Sequence, residues 1–505
     1  MTSSPGSQGA ATSTVDPNHA SRWIILAIVG VAQLMVVLDG TIVNIALPSA
    51  QADLHFDDGS RQWVVTAYAL AFGSLLLLGG RLGDLFGRKQ MFVVGLFGFA
   101  VASALGGAAS TFELLVVARA GQGLFGALLA PAALAILSVT FSDPAERGKA
   151  FGIFGALAGV GAGIGLLLGG VLTEWLSWRW CLYVNLAFAV PAALVAIRVI
   201  RTHDRQHEAA AQAHGRGIDW PGVATATLGL FALVFGFSSA EARGWDSPVT
   251  LVSLVAAPLL LLAFVLVERR VRQPLLPLHV VWNATRGGSY FAIAVLGIAM
   301  FGVFLFVTYF FQQNLGYSPI RAGFAFMPLN VTIMIVSGVS SGMLLPRLGP
   351  RTLIVSGLAL AALGMVVLAQ IDTGSGYVAV LPSLVLVGIG AGFLFTTTFA
   401  TATLGVDWQD MGVASAMLNT AQQVGGSVGT ALLSTFFANA VADYATENPG
   451  PRVLVEATIH GYTTVFWWAA AITAVGAVVA FVLMRSSSAQ LAEAEQPTGP
   501  GLPAH

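Results

Sequence analysis

The chain has 505 residues, of which 56% are hydrophobic and 9% charged, with a mean hydropathy of +0.80 and a formal net charge of −1. Soluble domains carry about 25% charged residues, so this composition excludes a water-soluble globular protein. The net charge excludes the basic surface of a nucleic-acid-binding protein. The single cysteine, Cys181, excludes an internal disulfide and a cysteine-based metal cluster. The composition therefore predicts a polytopic membrane protein.

Apolar runs of about twenty residues, the length that a helix needs to cross a bilayer, recur along the chain. Because these runs are continuously apolar and do not alternate, they predict an all-α protein and not a β-barrel. We predict fourteen spans, numbered in chain order: Trp23–Leu47, Trp63–Leu82, Met91–Ala109, Leu114–Leu137, Ala150–Leu172, Trp180–Ile200, Trp220–Ser239, Val249–Val267, Tyr290–Phe311, Ala322–Leu345, Thr352–Gln370, Val378–Thr401, Val413–Ala440 and Tyr462–Met484.

Basic residues are divided unevenly between the two sides of these spans. Both termini and the loops on their side carry seventeen of the 23 Lys and Arg residues, whereas five lie on the other side and Arg119 lies inside a span. The positive-inside rule therefore predicts that both termini are cytoplasmic. The predicted organisation is a disordered tail 1–21, a six-helix bundle 22–200, a cytoplasmic linker 201–217, two inserted helices 218–268, a linker 269–285, a second six-helix bundle 286–485 and a disordered tail 486–505.

An internal repeat supports this 6 + 2 + 6 arrangement. The segment Gly80–Lys89 follows span 2, and a weaker echo, Gly342–Arg351, follows span 10 at an offset of 262 residues. Glycines and the last cation recur, whereas the acid Asp84 does not. Transporters commonly contain such repeats, with the substrate site near the membrane midplane between them.

Four segments resemble motifs of the major facilitator superfamily, in the order in which that family carries them. Gly80–Lys89 is similar to motif A, Arg119–Gly123 in span 4 to motif B, and the glycines of span 5 to motif C of the exporters. The segment Leu38–Pro48 in span 1 resembles the signature of the fourteen-helix drug:proton antiporter branch. Motif C usually has a proline where this chain has Leu166.

The resemblance implies the major facilitator fold with fourteen transmembrane helices and a proton-coupled antiporter that exports hydrophobic or amphipathic drugs by alternating access. Two alternatives are considered. The first is a proton-coupled transporter of a specific metabolite, peptide or lipid, in either direction. The second is a membrane sensor that does not transport, which the presence of Asp39, Asp84 and Arg119 disfavours.

Asp39 is the only acid well inside a predicted span, and Arg119 is the embedded cation. At 1.5 Å per residue, Asp39 lies about 13 Å from the outer end of its helix and Arg119 about 9 Å from the outer end of its own. Charge at this depth is expensive, and it is functional by default. We expect Asp39 to bind the coupling proton and Arg119 to control it; the alternative is a static ion pair.

The acid of the Gly80–Lys89 segment predicts a conformational latch. Gly83 and Gly87 are expected to permit a tight cytoplasmic turn, and Gly80 belongs to the same latch segment. Asp84 is expected to lie at the N-terminus of a neighbouring helix and to pair with Arg88, which fastens the two halves together. The alternative, anchoring of the cytoplasmic end by cations, explains the basic residues but not Asp84.

Span 5 carries glycines at four-residue spacing, a pattern that lets another helix approach closely. In the family, this packing seals one side of the cavity. Because leucine frees no backbone carbonyl, Leu166 predicts a straighter helix than proline would. The two ridges are Gly155, Gly159 and Gly163, and Gly161, Gly165 and Gly169.

Polar residues inside other spans are candidates for the substrate cavity, although interhelical hydrogen bonding is the alternative for each of them. They are Gln33, Asn44, Gln122, Tyr309, Gln312, Gln313, Asn419, Gln422 and Gln423. Because these helices carry few acids, the substrates are expected to be neutral or to carry one positive charge.

The energy source is predicted by exclusion. There is no Walker A sequence, so we expect no nucleotide site and an ion gradient as the driving force. A single buried carboxylate suits protons, although sodium stays open. We therefore expect no enzymatic activity, no cofactor, no metal and no nucleic-acid partner. The predicted partners are a small-molecule substrate and the lipid bilayer, the protein is expected to be a monomer, and its arginine-rich composition favours a bacterial cytoplasmic membrane.

Overall fold

The computed structural model describes residues 21–200 and 219–484, except 57, 142, 272–273, 408–409, 449 and 451–452. Within helices it leaves out the side chains of residues 44, 58–62, 144–145, 158–159, 162, 166, 241–242 and 319. The predicted linker 201–217 and almost all of the two predicted tails lie outside the described residues. The regular structure of the described part is entirely helical, without strands.

The first six helices correspond to predicted spans 1–6 and extend beyond several of them, because the polar residues at their ends continue the helical backbone. These helices are α1 Arg22–Leu54, α2 Asp58–Phe86, α3 Arg88–Gly107, α4 Phe112–Thr140, α5 Pro144–Trp175 and α6 Trp180–Val199. Side-chain caps begin several of them; Thr111 accepts from the Leu114 amide at the start of α4.

The inserted pair and the second half follow. The pair is α7 Trp220–Arg243 and α8 Pro248–Glu268, and a short α9 spans Leu278–Val281. Helix α10, Ala284–Gly302, continues into two π-helical segments, Val303–Val307 and Phe310–Asn314. The remaining helices are α11 Pro319–Ala325, α12 Met327–Val339 with a π-helical continuation Ser340–Leu344, α13 Leu345–Leu368, α14 Tyr377–Ala402, α15 Met411–Glu447 and α16 Val453–Leu483.

Twelve helices among the described residues are long and apolar enough to cross a membrane. One of these apolar stretches, Ile320–Leu368, contains 49 residues and corresponds to predicted spans 10 and 11. Its helical backbone is interrupted at Gly349, where φ is 76°. The exposed face of α8 is apolar and includes Val252, Leu259 and Leu262, as expected for a surface in contact with lipid.

The helices pack as two halves joined along α5, α2 and α15. Helix α5 lies between α1 of its own half and helices α11, α12 and α14 of the other half. Helices α2 and α4 contact α15 across the same boundary. The inserted helices α7 and α8 pack on each other, and α7 also contacts α2 and α15. The inserted pair therefore lies beside the seam between the halves.

Candidate functional site

The two embedded charges of the first half form a buried ion pair. Arg119 of α4 donates from its Nη1 to Oδ2 of Asp39 on α1 at 2.5 Å. Asp39 is 0% exposed and Arg119 1%. A second arginine nitrogen, Nε, donates to the carbonyl of Val64 on α2 at 3.1 Å. Because an unpaired charge is costly in a buried site, each of the two side chains stabilises the other there.

Two amides complete the coordination of Asp39. Gln122 of α4 donates to Oδ1 at 2.8 Å, and Asn185 of α6 donates to the same oxygen at 2.7 Å. Gln122 also donates to the Ser103 hydroxyl of α3 and accepts from Arg119, both at 2.8 Å. Three side-chain donors therefore converge on one carboxylate, which is the arrangement that an aspartate anion requires when no water reaches it.

An aromatic ring closes one side of the ion pair. The guanidinium carbon of Arg119 lies 4.5 Å from the centre of the Tyr68 ring on α2, a cation–π distance. With Tyr68, the network draws side chains from α1, α2, α3, α4 and α6 into one buried cluster. We call Asp39, Arg119, Gln122 and Asn185 the polar core of the first half.

Sequence reasoning selected Asp39 and Arg119 but missed three members of their surroundings. Asn185 is the only amide in predicted span 6, and Ser103 is the only polar side chain in predicted span 3, so each could have been found as an isolated polar residue. Tyr68 gives no such signal. Gln122, predicted for the substrate cavity, is 0% exposed and faces Asp39 in this conformation.

The structure places Asp84 at the N-terminus of α15, in the other half of the molecule. Its Oδ1 accepts from the Gly412 amide at 3.1 Å and its Oδ2 from the Val413 amide at 3.3 Å. Arg88 donates to Oδ1 at 3.2 Å. An anion at a helix N-terminus satisfies free amides and interacts favourably with the helix dipole. We call these contacts the Asp84 latch.

The three glycines of the latch segment have different surroundings. At Gly80, a β-carbon would lie 2.6 Å from the Gly412 carbonyl oxygen, so this glycine permits the crossing of α2 and α15. Gly87 precedes α3 with φ 98° and ψ 131°, a conformation that favours glycine. The prediction of a turn at Gly83 is wrong: this residue lies inside α2, and a β-carbon there would meet open space. The chain turns only after α2 ends.

The glycines of α5 face two different partners. In one ridge, β-carbons at Gly161, Gly165 and Gly169 would each lie 3.0 Å from an atom of α1, on Val37, Leu38 and Ile42 respectively. This ridge therefore packs directly against the turns of α1 that surround Asp39.

The other ridge faces the second half of the molecule. A β-carbon at Gly155 would lie 3.2 Å from the backbone of Phe395, and one at Gly163 would lie 2.7 Å from Cγ of Asn330. Helix α5 thus contacts the helix that carries Asp39 on one face and the opposite half on another. Gly159 and the side chain of Leu166 lie outside the described part, so the effect of leucine on this helix stays a prediction.

The remaining cavity candidates lie mainly in the second half. Tyr309 and Gln313 are exposed and Gln312 is half-buried; the two glutamines are in the π-helical segment Phe310–Asn314, a type of irregularity that is frequent at functional sites. The Tyr462 hydroxyl donates to Gln313 at 3.3 Å. Gln422 and Gln423 are half-buried on α15.

Besides Gln122, two further amides from the candidate set are buried in this conformation. Asn419 donates to the Ser415 carbonyl of its own helix at 3.0 Å and is 6% exposed. Gln33 of α1 is also 6% exposed. The side chain of Asn44 lies outside the described part of the chain.

One group among the described side chains is compact enough to share a cation. The ligand atoms of His279, Asp407 and Asp410 lie within 4.8 Å of one another. His279 and Asp407 are exposed and Asp410 is only half-buried. Exposed acidic groups of this kind are common without a metal, so we assign none to it.

Comparison with known proteins gives one family. The Major Facilitator Superfamily model matches residues 29–430. The chain is similar to the puromycin resistance protein pur8 of Streptomyces alboniger, with 48% identity over 97% of this chain and 96% of the relative. It is also similar to the cephamycin export protein CmcT of Amycolatopsis lactamdurans, with 38% identity over 85% of this chain and 87% of the relative.

A third relative, the tetracenomycin C resistance and export protein of Streptomyces glaucescens, is 35% identical over 86% of this chain and 79% of the relative. Among solved structures, the human organic anion transporter MFSD10 (TETRAN) has a TM-score of 0.61 and 14% identity. That likeness covers 92% of this chain and 99% of the human chain, and it shows the fold. The apolar helices and the bacterial relatives identify a multi-pass protein of the cell membrane.

Proposed function

This chain belongs to the Major Facilitator Superfamily, and on that basis we propose that it exports hydrophobic or amphipathic antibiotics by alternating access, in exchange for protons. The named relatives are resistance and export proteins for puromycin, cephamycin and tetracenomycin C. The observation that carries the coupling mechanism is the ion pair between Asp39 and Arg119. The protein acts as a monomeric transporter and not as an enzyme, without a cofactor.

In this mechanism Asp39 carries the coupling proton. In the conformation described, Asp39 accepts from Arg119, Gln122 and Asn185. A proton that binds Asp39 removes its charge and weakens the contact with Arg119. The glycine ridge at Gly161, Gly165 and Gly169 holds α1 against α5, so a change in the position of α1 is passed to the interface between the halves.

The Asp84 latch provides the second state-dependent contact. It joins α2 of the first half to α15 of the second half, and Arg147 of α5 reinforces the same boundary by donating to Thr403 at 3.0 Å. These contacts close one end of the boundary between the halves. The transport cycle breaks them when that end opens to release or admit ligand.

The topology we propose has fourteen crossings, arranged 6 + 2 + 6, with both termini in the cytoplasm. At 1.5 Å per residue, the 49-residue stretch Ile320–Leu368 is about 74 Å long, whereas the hydrocarbon core is about 30 Å thick. Its break at Gly349 supports two crossings instead of one. Helix α5, with 32 residues, supplies one more. The domain boundaries follow: bundles 22–200 and 286–485, inserted helices 218–268.

Transport in vesicles tests the proposal. Inverted membrane vesicles with an imposed pH gradient should accumulate a substrate identified from a susceptibility screen of expressing and deletion strains. Asp39→Asn should abolish proton-driven accumulation, while Asp143→Asn, an exposed helix cap on α5, should retain it. Full proton-driven transport by Asp39→Asn would refute the coupling role. Accumulation driven by a sodium gradient alone would show that the coupling ion is sodium and not the proton.

A further inference from the structure

Two buried carboxylates that the proposed transport cycle does not use lie at one end of the inserted helix pair. Asp219 immediately precedes α7 and Glu268 is the last residue of α8; they are 6% and 5% exposed. Both approach Gly222. A β-carbon at Gly222 would lie 2.8 Å from Oε1 of Glu268 and would also meet Oδ2 of Asp219. The two carboxylate oxygens therefore lie on the same side of Gly222, within a few ångströms of each other.

The hydrogen bonds of the two carboxylates differ. Glu268 accepts from the Leu275 and Leu276 amides, both at 3.2 Å. Asp219 caps α7 through Oδ1, which accepts from the Gly222 amide at 2.9 Å. Its Oδ2 is buried and has no hydrogen-bond donor among the described residues. A buried charged oxygen without a donor is strongly unfavourable, so this oxygen requires a donor that the neighbouring side chains of the described residues do not supply.

Among the residues that the structure describes, positive charge around the pair is scarce. Arg81 of α2 is 5% exposed and interacts electrostatically with both Glu268 and Asp84. Arg88 pairs with Asp84, and the contacts of Asp84 with α15 are hydrogen bonds from the backbone amides of that helix. Arg269 and Arg270, which follow Glu268, are exposed. Within the described residues, Arg81 is therefore divided between Glu268 and Asp84, and two neighbouring carboxylates in one buried site do not both ionise readily.

We propose that Asp219 and Glu268 share one proton and form a second proton-binding site, which is linked to the Asp84 latch through Arg81. This inference rests on the proposed function, because it assigns a proton to the cycle of the same transporter. The shared proton lies between Oδ2 of Asp219 and Oε1 of Glu268. One acid donates its O–H to the other carboxylate, which supplies the donor that Oδ2 lacks.

Loss of this proton leaves two negative charges beside Arg81. Their repulsion separates the start of α7 from the end of α8, and their attraction draws Arg81 away from Asp84. The apolar contacts of the region connect these movements: Val223, Phe264 and Leu276 share one buried cluster with Leu77 of α2 and Val413 of α15. The inserted pair thereby adjusts the strength of the latch with pH.

Infrared spectroscopy of the full-length protein in lipid, titrated with pH, tests this assignment. The wild-type protein should give a protonated-carboxyl C=O band that disappears as pH rises. The Asp219→Asn variant should lose this part of the band. The asparagine amide group donates the hydrogen bond that the shared proton made, and the asparagine oxygen still caps α7. The matched control, Asp143→Asn, changes another helix cap that is exposed and should keep the band. A band unchanged in Asp219→Asn would overturn the proposal.

A second measurement keeps the test independent of folding and of Asp39. In a Cys181→Ser background, the rate of labelling of Met417→Cys near the latch is divided by that of Thr373→Cys, an exposed loop position, because every thiol reacts faster as it ionises. This ratio should rise with pH in the otherwise wild-type protein and should be independent of pH in Asp219→Asn. A ratio that still rises with pH in Asp219→Asn would overturn the link to the latch. The Asp39→Asn variant should retain the infrared band of the shared proton. If this variant keeps the band and also transports fully, the coupling role of Asp39 is refuted and the second proton site stands.

Discussion

Gly349 repeats the unusual backbone of Gly87, 262 residues later in the chain. Gly87 has φ 98° and ψ 131°, and Gly349 has φ 76° and ψ 164°. The offset equals that between the two Gly80–Lys89-like segments of the sequence, so the repeat that is faint in sequence is preserved in backbone conformation. At each position one helix ends and the next begins, and the positive φ allows the chain to change direction.

Alanine at either of these positions should destabilise the protein. Backbone with positive φ and ψ near 150° is almost restricted to glycine, and it costs other residues about 1–3 kcal/mol. We expect Gly87→Ala and Gly349→Ala to lower the melting temperature in detergent. Gly83→Ala is the matched control: Gly83 is helical and open space surrounds its missing β-carbon, so alanine there should stabilise by about 0.5–1 kcal/mol. Equal melting temperatures for all three variants would contradict this interpretation.

The architecture was largely predictable because long apolar segments of the sequence identify the helices. Each predicted span has a helical counterpart, and the family assignment is confirmed. The break inside Ile320–Leu368 was predictable from the charged, proline-containing segment around Arg347 and Arg351. The π-helical segments that follow α10 and α12 were not predictable, because a one-residue change in hydrogen-bond register does not change the pattern of hydrophobic residues.

Removal of the Asp84 carboxylate should open the latch. Asp84→Ala deprives the Gly412 and Val413 amides and Arg88 of their acceptor. Hydrogen bonds to a charged group contribute about 1.5–3 kcal/mol each, so the closed population should fall about tenfold or more. Met417→Cys in a Cys181→Ser background should therefore label at least about tenfold faster.

The control for this labelling is Thr373→Cys, an exposed position on the loop before α14, whose rate should not change. Asp84→Asn keeps one acceptor oxygen and should give an intermediate rate. Unchanged labelling of Met417→Cys in Asp84→Ala would show that these contacts do not hold the two halves together.

The two glycine ridges of α5 should be separable by mutation. In Gly165→Ala the new methyl group would meet Oγ1 of Thr41 and would lie 3.0 Å from the Leu38 carbonyl oxygen, so it displaces the turn of α1 that carries Asp39. In Gly155→Ala it would lie 3.2 Å from the backbone of Phe395, so it displaces the opposite half. Overpacking of this kind costs about 1–3 kcal/mol. We expect Gly165→Ala to lower the number of protons exchanged per substrate, and Gly155→Ala to slow transport at an unchanged ratio.

The site itself was only partly readable from the sequence. Asp39 and Arg119 were identifiable because charge inside an apolar span is rare. Their companions could not be identified in the same way, because an amide in a helix is equally consistent with a cavity and with helix packing. Gln122 and Asn185 differ in sequence context but donate to the same oxygen. Which glycine ridge faces which helix depends on how the two halves meet, and no local pattern specifies that.

The exposed ion pair between Arg179 and Asp53 should contribute a pH-dependent stability. Hydrogen bonds from Arg179 and then from Trp178 hold the pKa of Asp53 below its usual value. A carboxyl whose pKa is lowered on folding stabilises the folded protein above its unfolded pKa, about 3.9, and loses this effect as pH falls through its folded pKa. The difference in melting temperature between wild type and Asp53→Asn should therefore be constant near neutral pH and shrink below about pH 4. The difference in melting temperature between wild type and Arg179→Gln should shrink over the same pH range. A difference in melting temperature that grows in acid would contradict the role of this ion pair.

Asn185 is expected to act as a positioning residue for Asp39. Its Nδ2 donates to Oδ1 of Asp39 at 2.7 Å from a helix that no sequence motif singled out, and both side chains are 0% exposed. Because a donor to a buried charge contributes about 1.5–3 kcal/mol, Asn185→Ala should lower the free energy of unfolding by that amount. It should also change the pH profile of transport, since the protonation of Asp39 depends on its remaining donors.

The matched variant for this experiment is Ser103→Ala. Ser103 accepts from Gln122 and does not contact Asp39 directly, so its removal should cost only about 0.5–1.5 kcal/mol and leave the pH profile of transport in place. Asn185→Gln, which keeps the amide on a longer chain, should restore part of the lost pH response if donation to Asp39 is what matters. A pH profile that is the same in wild type and Asn185→Ala, with only the unfolding free energy reduced, would confine Asn185 to packing.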